Sequence, residues 1–328
     1  MTPLRIVFFG TPAFAVPILR RLLASRHRVC GVVTQPDRPR GRGQQVSEAP
    51  VKALALEHAL PVIQPERLKA PGVAATLRAW TPDLGVVAAY GKLIPEHILT
   101  LPRGGLINVH ASLLPKYRGA APVHRAVIDG EVETGVTIMR VEPMLDAGPM
   151  LAKATRPIGP NETSDVIERD LAELGAPLLV AVVDQLAEGP VDQELQDFMM
   201  CTYAPRLTKE EGLIDWTLPS VFIHNRVRGL YPWPHAYTYL EGARLIVLRT
   251  RVEPAGTDAA PGTIAEVLPD VIHVATGHGG RVAIHDIQPE GRRRMAVRDF
   301  LAGRRVERGA LLTGPPRGDP IGPAARPE

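Results

Sequence analysis

The sequence predicts an α/β protein in two parts: a mostly parallel sheet covered by helices, followed by a small β-barrel. Two patterns carry this. In the first half, short β-rich runs alternate with helical periodicity, the order that builds right-handed β-α-β units. From about residue 205 onward, short strands separated by Gly-rich turns take over. A length of 328 residues also exceeds what one small core organises.

The elements follow in order. Strands are expected over residues 4–9, 29–34, 84–89, 106–110 and 136–141, with helices over 13–24, 51–58, 73–80, 121–128 and 165–186. The turn Phe9-Gly10-Thr11-Pro12 joins the first strand to the first helix. It lacks the G-x-G-x-x-G spacing of a dinucleotide site, because Pro12 and Ala15 stand where glycines would be needed, so a dehydrogenase is disfavoured. Residues 188–204 (EGPVDQELQDFMMCTYA) mix Gly, Pro and acids with weak periodicity and are expected to be a linker. Beyond it come a helix over 220–227 and strands over 237–240, 244–252, 262–267, 271–275 and 282–287. The expected organisation is a catalytic domain over 1–188, a linker over 189–204, a barrel over 205–313 and a disordered Pro/Gly-rich tail over 314–328.

Composition bounds the function loosely. No apolar run approaches the roughly 18 residues needed to cross a membrane, and the start MTPLRIVFFG reads as a strand rather than a signal peptide. Cys30 and Cys201 are expected to be small buried residues, which fits a reducing cytoplasm. Scattered single histidines and the lack of a cysteine pair speak against a metal site. Residues 205–328 carry 17 Lys/Arg and 14 Asp/Glu, leaving 21 of each before them, so the net +3 lies in the C-terminal part. That imbalance alone does not identify a nucleic-acid partner.

The chemistry is concentrated between Gly105 and Met150. Strand side chains alternate faces, so Asn108 and His110 point the same way at the end of one strand. Asp146 follows the next apolar strand in a Pro/Gly-bounded loop. If the two strands are neighbours, an amide, an imidazole and a carboxylate meet at one sheet edge. Such a set can hold a carbonyl oxygen, supply a proton and orient the supplier, which suggests transfer of an acyl-type group. A Gly/Pro-rich loop, residues 35–45, carries Arg38, Arg40 and Arg42. It is either a solvated surface loop or a phosphate-binding one.

These residues carry a resemblance. Asn108-Val109-His110-Ala111-Ser112-Leu113-Leu114-Pro115-Lys116-Tyr117-Arg118-Gly119, with Asp146-Ala147-Gly148-Pro149 behind it, resembles the signature of the 10-formyltetrahydrofolate-dependent formyltransferases. Three further segments resemble the branch of that family that acts on methionyl-tRNA: residues 9–17 (FGTPAFAVP), the arginine loop and Tyr231-Pro232-Trp233-Pro234-His235-Ala236. The resemblance spans about residues 4–313. It implies a Rossmann-like catalytic domain, an OB-like barrel, and transfer of a formyl group from 10-formyltetrahydrofolate to the α-amino group of initiator methionyl-tRNA, without metal. It further implies that Asn108 donates to the oxyanion, that His110 stabilises it, and that Asp146 orients His110 and helps take the amine's proton. Folate contacts are implied for Ser112, Leu113, Leu114 and Pro115 and for the backbone of Tyr90, Gly91, Lys92, Leu93 and Ile94. Contacts to tRNA are implied for the arginine loop and for the basic barrel, with Arg292, Arg293 and Arg294 its most exposed candidates. A monomer in the cytoplasm is expected. Gln44 and Gln45 depart from the family, whose members often carry lysines there, and the tail beyond Thr313 has no counterpart. A formyltransferase acting on a sugar nucleotide, or a non-catalytic tRNA-binding protein, are the alternative readings.

Overall fold

The computed structural model describes residues 2–40 and 45–315. Its contacts divide the chain into two units. One holds Met1–Pro122, Glu133–Pro157 and Ile167–Pro205; the other holds Val123–Val132, Ile158–Val166 and the chain from Arg206.

The first unit opens with β1 (Arg5–Gly10), α1 (Ala15–Leu23) and β2 (Arg28–Val33), then β3 (Arg38–Arg40) and β4 (Gln45–Ser47). Next come α2 (Pro50–Glu57), β5 (Val62–Ile63), α3 (Val73–Ala79), β6 (Leu84–Ala88) and α4 (Glu96–Leu99). The segment that builds the site holds β7 (Leu106–His110), β8 (Arg118–Gly119), β9 (Glu133–Arg140) and β10 (Met150–Pro157), while α5 (Pro122–Asp129), between β8 and β9 in the chain, belongs almost wholly to the second unit. Helix α6 (Ser164–Glu188) and the short β11 (Tyr203–Ala204) follow.

The main sheet has the order β10-β9-β7-β6-β1-β2-β5. The pairs from β7 to β5 are parallel, and β9 and β10 are antiparallel additions at one side. Strands β1, β2 and β6 are unbroken apolar runs because both of their faces are buried, as central parallel strands require. Helix α1 turns Ile18, Leu19 and Leu22 inward and keeps Arg20 and Arg21 in its last turn, where cations suit the dipole.

Three features differ from the sequence expectation. First, β9 runs antiparallel to β7, with Asn108 opposite Met139 and His110 opposite Thr137. Asp146 therefore does not leave its strand at the edge where His110 ends, and the loop after β9 has to return toward it. Second, β10 escapes detection because it alternates exposed and half-buried residues and carries Lys153 and Arg156, as an edge strand does. Third, the backbone at both ends of the arginine loop is strand: Arg38 pairs with Ser47 and Arg40 with Gln45. Arg42 and the tail from residue 316 lie outside the described residues.

The second unit contains α7 (Ser220–Gly229), β12 (Ala236–Leu240), β13 (Ala243–Glu253), β14 (Ile264–Leu268), β15 (Val271–Ala275) and β16 (Arg281–Pro289). It ends with β17 (Met295–Ala296), α8 (Val297–Gly303) and β18 (Leu312–Thr313). The antiparallel order is β14-β15-β16-β13-β12-β18, with β17 on β16. The sheet curls until its outer strands approach one another. Thr263 bridges Leu311, the Ile264 N–H donates to the Ala310 carbonyl, and the Leu312 N–H donates to the Gly262 carbonyl. This is the expected small OB-like barrel.

Candidate active site

Strand β7 delivers the first two site residues. Val109, between them, is buried on the opposite face, so the alternation turns Asn108 and His110 to one side. Asn108 is half-buried, and among the described residues its amide makes no hydrogen bond, leaving both of its N–H groups available. His110 is buried. Its Nε2 lies 2.9 Å from the Tyr117 carbonyl. A carbonyl only accepts, so Nε2 carries the hydrogen in this contact and Nδ1 is the nitrogen that faces Asp146, 3.7 Å from its Oδ2. The bond that sets the ring orientation is thus the one to Tyr117, rather than one to Asp146.

Asp146 is fixed by its surroundings. It adopts the left-handed region at φ +48°, and its Oδ2 accepts from the Gly119 N–H at 2.9 Å. Gly119 has φ +120°, and a Cβ there would lie 2.8 Å from the Ala204 carbonyl oxygen, so only glycine brings this N–H to the carboxylate. The Gln196 side-chain amide donates to the carbonyls of Asp146 (2.9 Å) and Gly148 (2.8 Å), while its oxygen accepts two bonds from the Arg118 guanidinium, at 2.9 and 2.7 Å. The stretch expected to be a linker therefore does more than connect. Glu194 exchanges backbone hydrogen bonds with Met150, and Tyr203–Ala204 pairs with Arg118–Gly119. Gln196 is hidden in the sequence, since nothing linear ties it to Arg118, a separation of 78 positions.

The segments implied for folate contact divide by accessibility. The Ser112 hydroxyl is buried and donates to the Lys116 carbonyl at 2.7 Å, closing the turn after β7. Thr137 on β9 stiffens the same turn, donating to the Ser112 carbonyl and accepting from the Leu114 N–H. Leu114 is buried beside Met139 and Met150, whereas Leu113 and Pro115 are half-buried. In the other segment, the Tyr90 ring packs edge-on against Phe9 inside the core, and burial pushes its phenol up to about 12. Gly91 has φ +79°, and a Cβ there would meet the Gln35 side chain, whose amide donates to the Tyr90 carbonyl at 2.6 Å. Lys92 donates to the Pro65 and Glu66 carbonyls, Ile94 leans on the core, and Leu93 is exposed.

The cationic candidates also divide. At the foot of the arginine loop, the Asp37 carboxylate accepts from Lys52, Gln64 and the Ala49 N–H, which ties the strand before the loop to the helix after it. These partners, Lys52 first, hold the Asp37 carboxyl below its usual range. Side chains of Arg38 and Arg40 belong to a segment of which only the backbone is described. In the barrel, Arg292 and Arg293 are exposed, while Arg294 is paired with Asp286 at 2.7 Å, alongside Arg249. Both cysteines are free thiols; Cys30 is buried as expected, whereas Cys201 is only half-buried, because it ends a short helical turn at the surface.

Comparison with known proteins follows the same two-part division. The formyl transferase family model matches residues 4–183, and the model of the formyl transferase C-terminal domain matches residues 206–305. The methionyl-tRNA formyltransferase of Geobacter sulfurreducens is 47% identical over 312 residues, covering 95% of this chain and 98% of that one. That of Methylococcus capsulatus is 48% identical over 308 residues, covering 92% and 99%. Among solved structures, WlaRD, a sugar 3N-formyl transferase studied with dTDP and 5-N-formyl-THF, superposes with a TM-score of 0.67 at 15% identity. It covers 89% of this chain and all of its own. An N-formyltransferase from Helicobacter canadensis, in complex with folinic acid and dTDP-3-aminofucose, reaches 0.64 at 16% identity, covering 86% and 98%.

Proposed function

Because the chain belongs to the methionyl-tRNA formyltransferases and transfers a formyl group to methionyl-tRNA, we propose that Asn108, His110 and Asp146 are the residues that carry the transfer. The observation that supports this reading is the approach of His110 Nδ1 to Asp146 Oδ2 beside the unengaged amide of Asn108. The donor is 10-formyltetrahydrofolate. The amine of the aminoacyl ester attacks the formyl carbon and generates a tetrahedral oxyanion. Asn108 donates an N–H to that oxygen, and His110 adds positive potential from the same strand face. Asp146 takes the proton leaving the attacking amine, directly or through water. Collapse of the tetrahedral intermediate then breaks the bond between the formyl carbon and N10, and that proton passes to N10, so that tetrahydrofolate leaves and the Asp146 carboxylate is restored.

The folate lies against the turn formed by Ser112, Leu113, Leu114 and Pro115, with Leu113 and Pro115 offering side-chain surface and Ser112 contributing backbone. The backbone of Tyr90, Gly91, Lys92 and Ile94 and the exposed side chain of Leu93 make the other wall, an apolar slot with polar backbone groups that suits a flat ring. Arg38, Arg40 and Arg42 engage the initiator tRNA, and Arg292, Arg293 and Arg294 add phosphate contacts. The product, N-formylmethionyl-tRNA, serves translation initiation, and the enzyme acts in the cytoplasm as a monomer. The division at 188, 204 and 313 is the proposed domain plan.

The test is a side-by-side assay with 10-formyltetrahydrofolate as donor. Charged initiator tRNA should be formylated, and a nucleotide-linked amino sugar should not. Preferential formylation of the sugar would replace this reading with the sugar-nucleotide one.

A further inference from the structure

We propose that Gln196 and Arg118 are positioning residues that hold Asp146 in its working place. The proposal rests on the role of Asp146 in proton transfer, and concerns two residues that have no part in that chemistry themselves.

Among the described residues, Arg118 is the largest side chain with no exposed surface. Burying a guanidinium costs several kcal/mol unless it is well paired. Here the partners are sparse. Nε and Nη2 both donate to the Gln196 Oε1, the Phe198 ring lies 4.8 Å from the guanidinium carbon, and Nη1 is buried without a hydrogen-bond partner among the described residues. A strut serving the fold alone is made more cheaply by apolar residues. What this arrangement secures is the direction of Gln196. With its oxygen turned to Arg118, its NH2 group has to face the carbonyls of Asp146 and Gly148.

The consequence for Asp146 is geometric. Its carboxylate end is held by the Gly119 N–H, the residue next to Arg118, and its backbone end is held by Gln196. One hold comes from β8 and the other from the segment that leads into β11, the strand paired with β8. The positive φ of Asp146 is a conformation that a non-glycine residue keeps only when its surroundings enforce it. Gln196 supplies that enforcement, and Arg118 keeps Gln196 from rotating its amide.

The discriminating substitution is Gln196→Glu. It retains an oxygen for Arg118 and makes the contact a full ion pair. It also replaces the donor to the two carbonyls with a second, repelling oxygen. The enzyme should keep a cooperative melt near the wild-type temperature and near-normal affinity for 5-formyltetrahydrofolate, while kcat falls by about tenfold to a hundredfold. Gln196→Met, which removes both functions without adding charge, should show the same loss of kcat with KM little changed. The double variant Asp146→Asn/Gln196→Glu should be no slower than Asp146→Asn alone, because a residue that acts through Asp146 has nothing further to remove. Wild-type kcat in folded Gln196→Glu and Gln196→Met overturns the proposal, as does an additive loss in the double variant. Loss of a cooperative melt in both single variants also overturns it, since Gln196 would then serve the fold. Full activity of Asp146→Asn removes the proposal together with the role of Asp146. Inactive Asp146→Asn beside active Gln196 variants removes the positioning role alone.

Discussion

Nδ1 of His110 stands 3.7 Å from Oδ2 of Asp146, while Nε2 of the same ring is committed to the Tyr117 carbonyl. The ring is thus aimed by backbone and faces the carboxylate with its remaining nitrogen. Removing any of the three site groups should be felt in turnover rather than in folding. Asn108→Ala and His110→Ala are each expected to raise the barrier to formyl transfer by about 3 kcal/mol, with folate affinity nearly unchanged. Asp146→Asn keeps an oxygen for the Gly119 N–H but cannot accept a proton, so it should fold normally and turn over slowly. Single-turnover formylation at wild-type rate by any one of these would take that residue out of the mechanism.

The salt dependence of tRNA binding should separate the three barrel arginines. Arg292 and Arg293 are exposed, whereas Arg294 is engaged with Asp286. Replacing Arg292 and Arg293 together with alanine should flatten the plot of log affinity against log salt by about two units, one for each phosphate no longer neutralised. Arg294→Ala should change it less, since that guanidinium is already partly neutralised. An unchanged slope for the double variant would show the turn to be a solubility feature.

Tyr90 offers a test in which activity should stay constant. Its hydroxyl is buried with no hydrogen-bond partner among the described residues, inside a cluster that includes Phe9, Leu77 and Ile98. Deleting an unpaired buried hydroxyl recovers desolvation energy, so Tyr90→Phe should be as stable as wild type or more stable by about 1 kcal/mol in urea. Turnover should be unaffected, because the proposed folate contact at this position is made by backbone. A strong loss of activity would assign the phenol a role in the site.

Stability should fall on mild acidification. His224 is buried, with Nε2 donating to the Pro160 carbonyl at 2.8 Å and Nδ1 accepting from the Thr250 hydroxyl at 2.9 Å. Burial holds its pKa below the ordinary 6.5, and His235 and His285 are shifted the same way for the same first reason. As pH falls through the unfolded value, the unfolded chain binds protons before the native one does. The stabilisation is therefore complete above that value and is lost below it. Urea midpoints measured from about pH 8 to pH 5 should fall, and His224→Gln should fall less steeply from a lower starting point. A pH-independent midpoint in wild type would contradict this assignment.

How much of this is legible in the sequence depends on how local each determinant is. Strand β7 is expected over the residues it occupies, because an apolar run ends in the irregular turn after His110 and its side chains alternate. That β7 and β9 are neighbours enters the sequence reading only as a condition, and their antiparallel sense is not read at all, since a strand's direction relative to its neighbour leaves no mark on its own residues. β10 is hidden by its edge position. Asp146 announces itself by type and by the glycine that soon follows it, yet its reach toward His110 depends on a left-handed backbone and on the Gly119 N–H. The choice of Nε2 for Tyr117, and the link from Gln196 to Arg118, arise only when distant segments meet.

The contact between residues 262–264 and 310–312 seals the rim of the barrel. Without it, β14 and β18 would each present an open row of backbone groups, a template on which another chain can add a strand. The closing residues come last in chain order among the barrel's strands. During synthesis the barrel is therefore exposed to intermolecular pairing until its final strand emerges. Protection against aggregation in this half of the molecule thus rests on a few backbone bonds made by a two-residue strand and the turn before it.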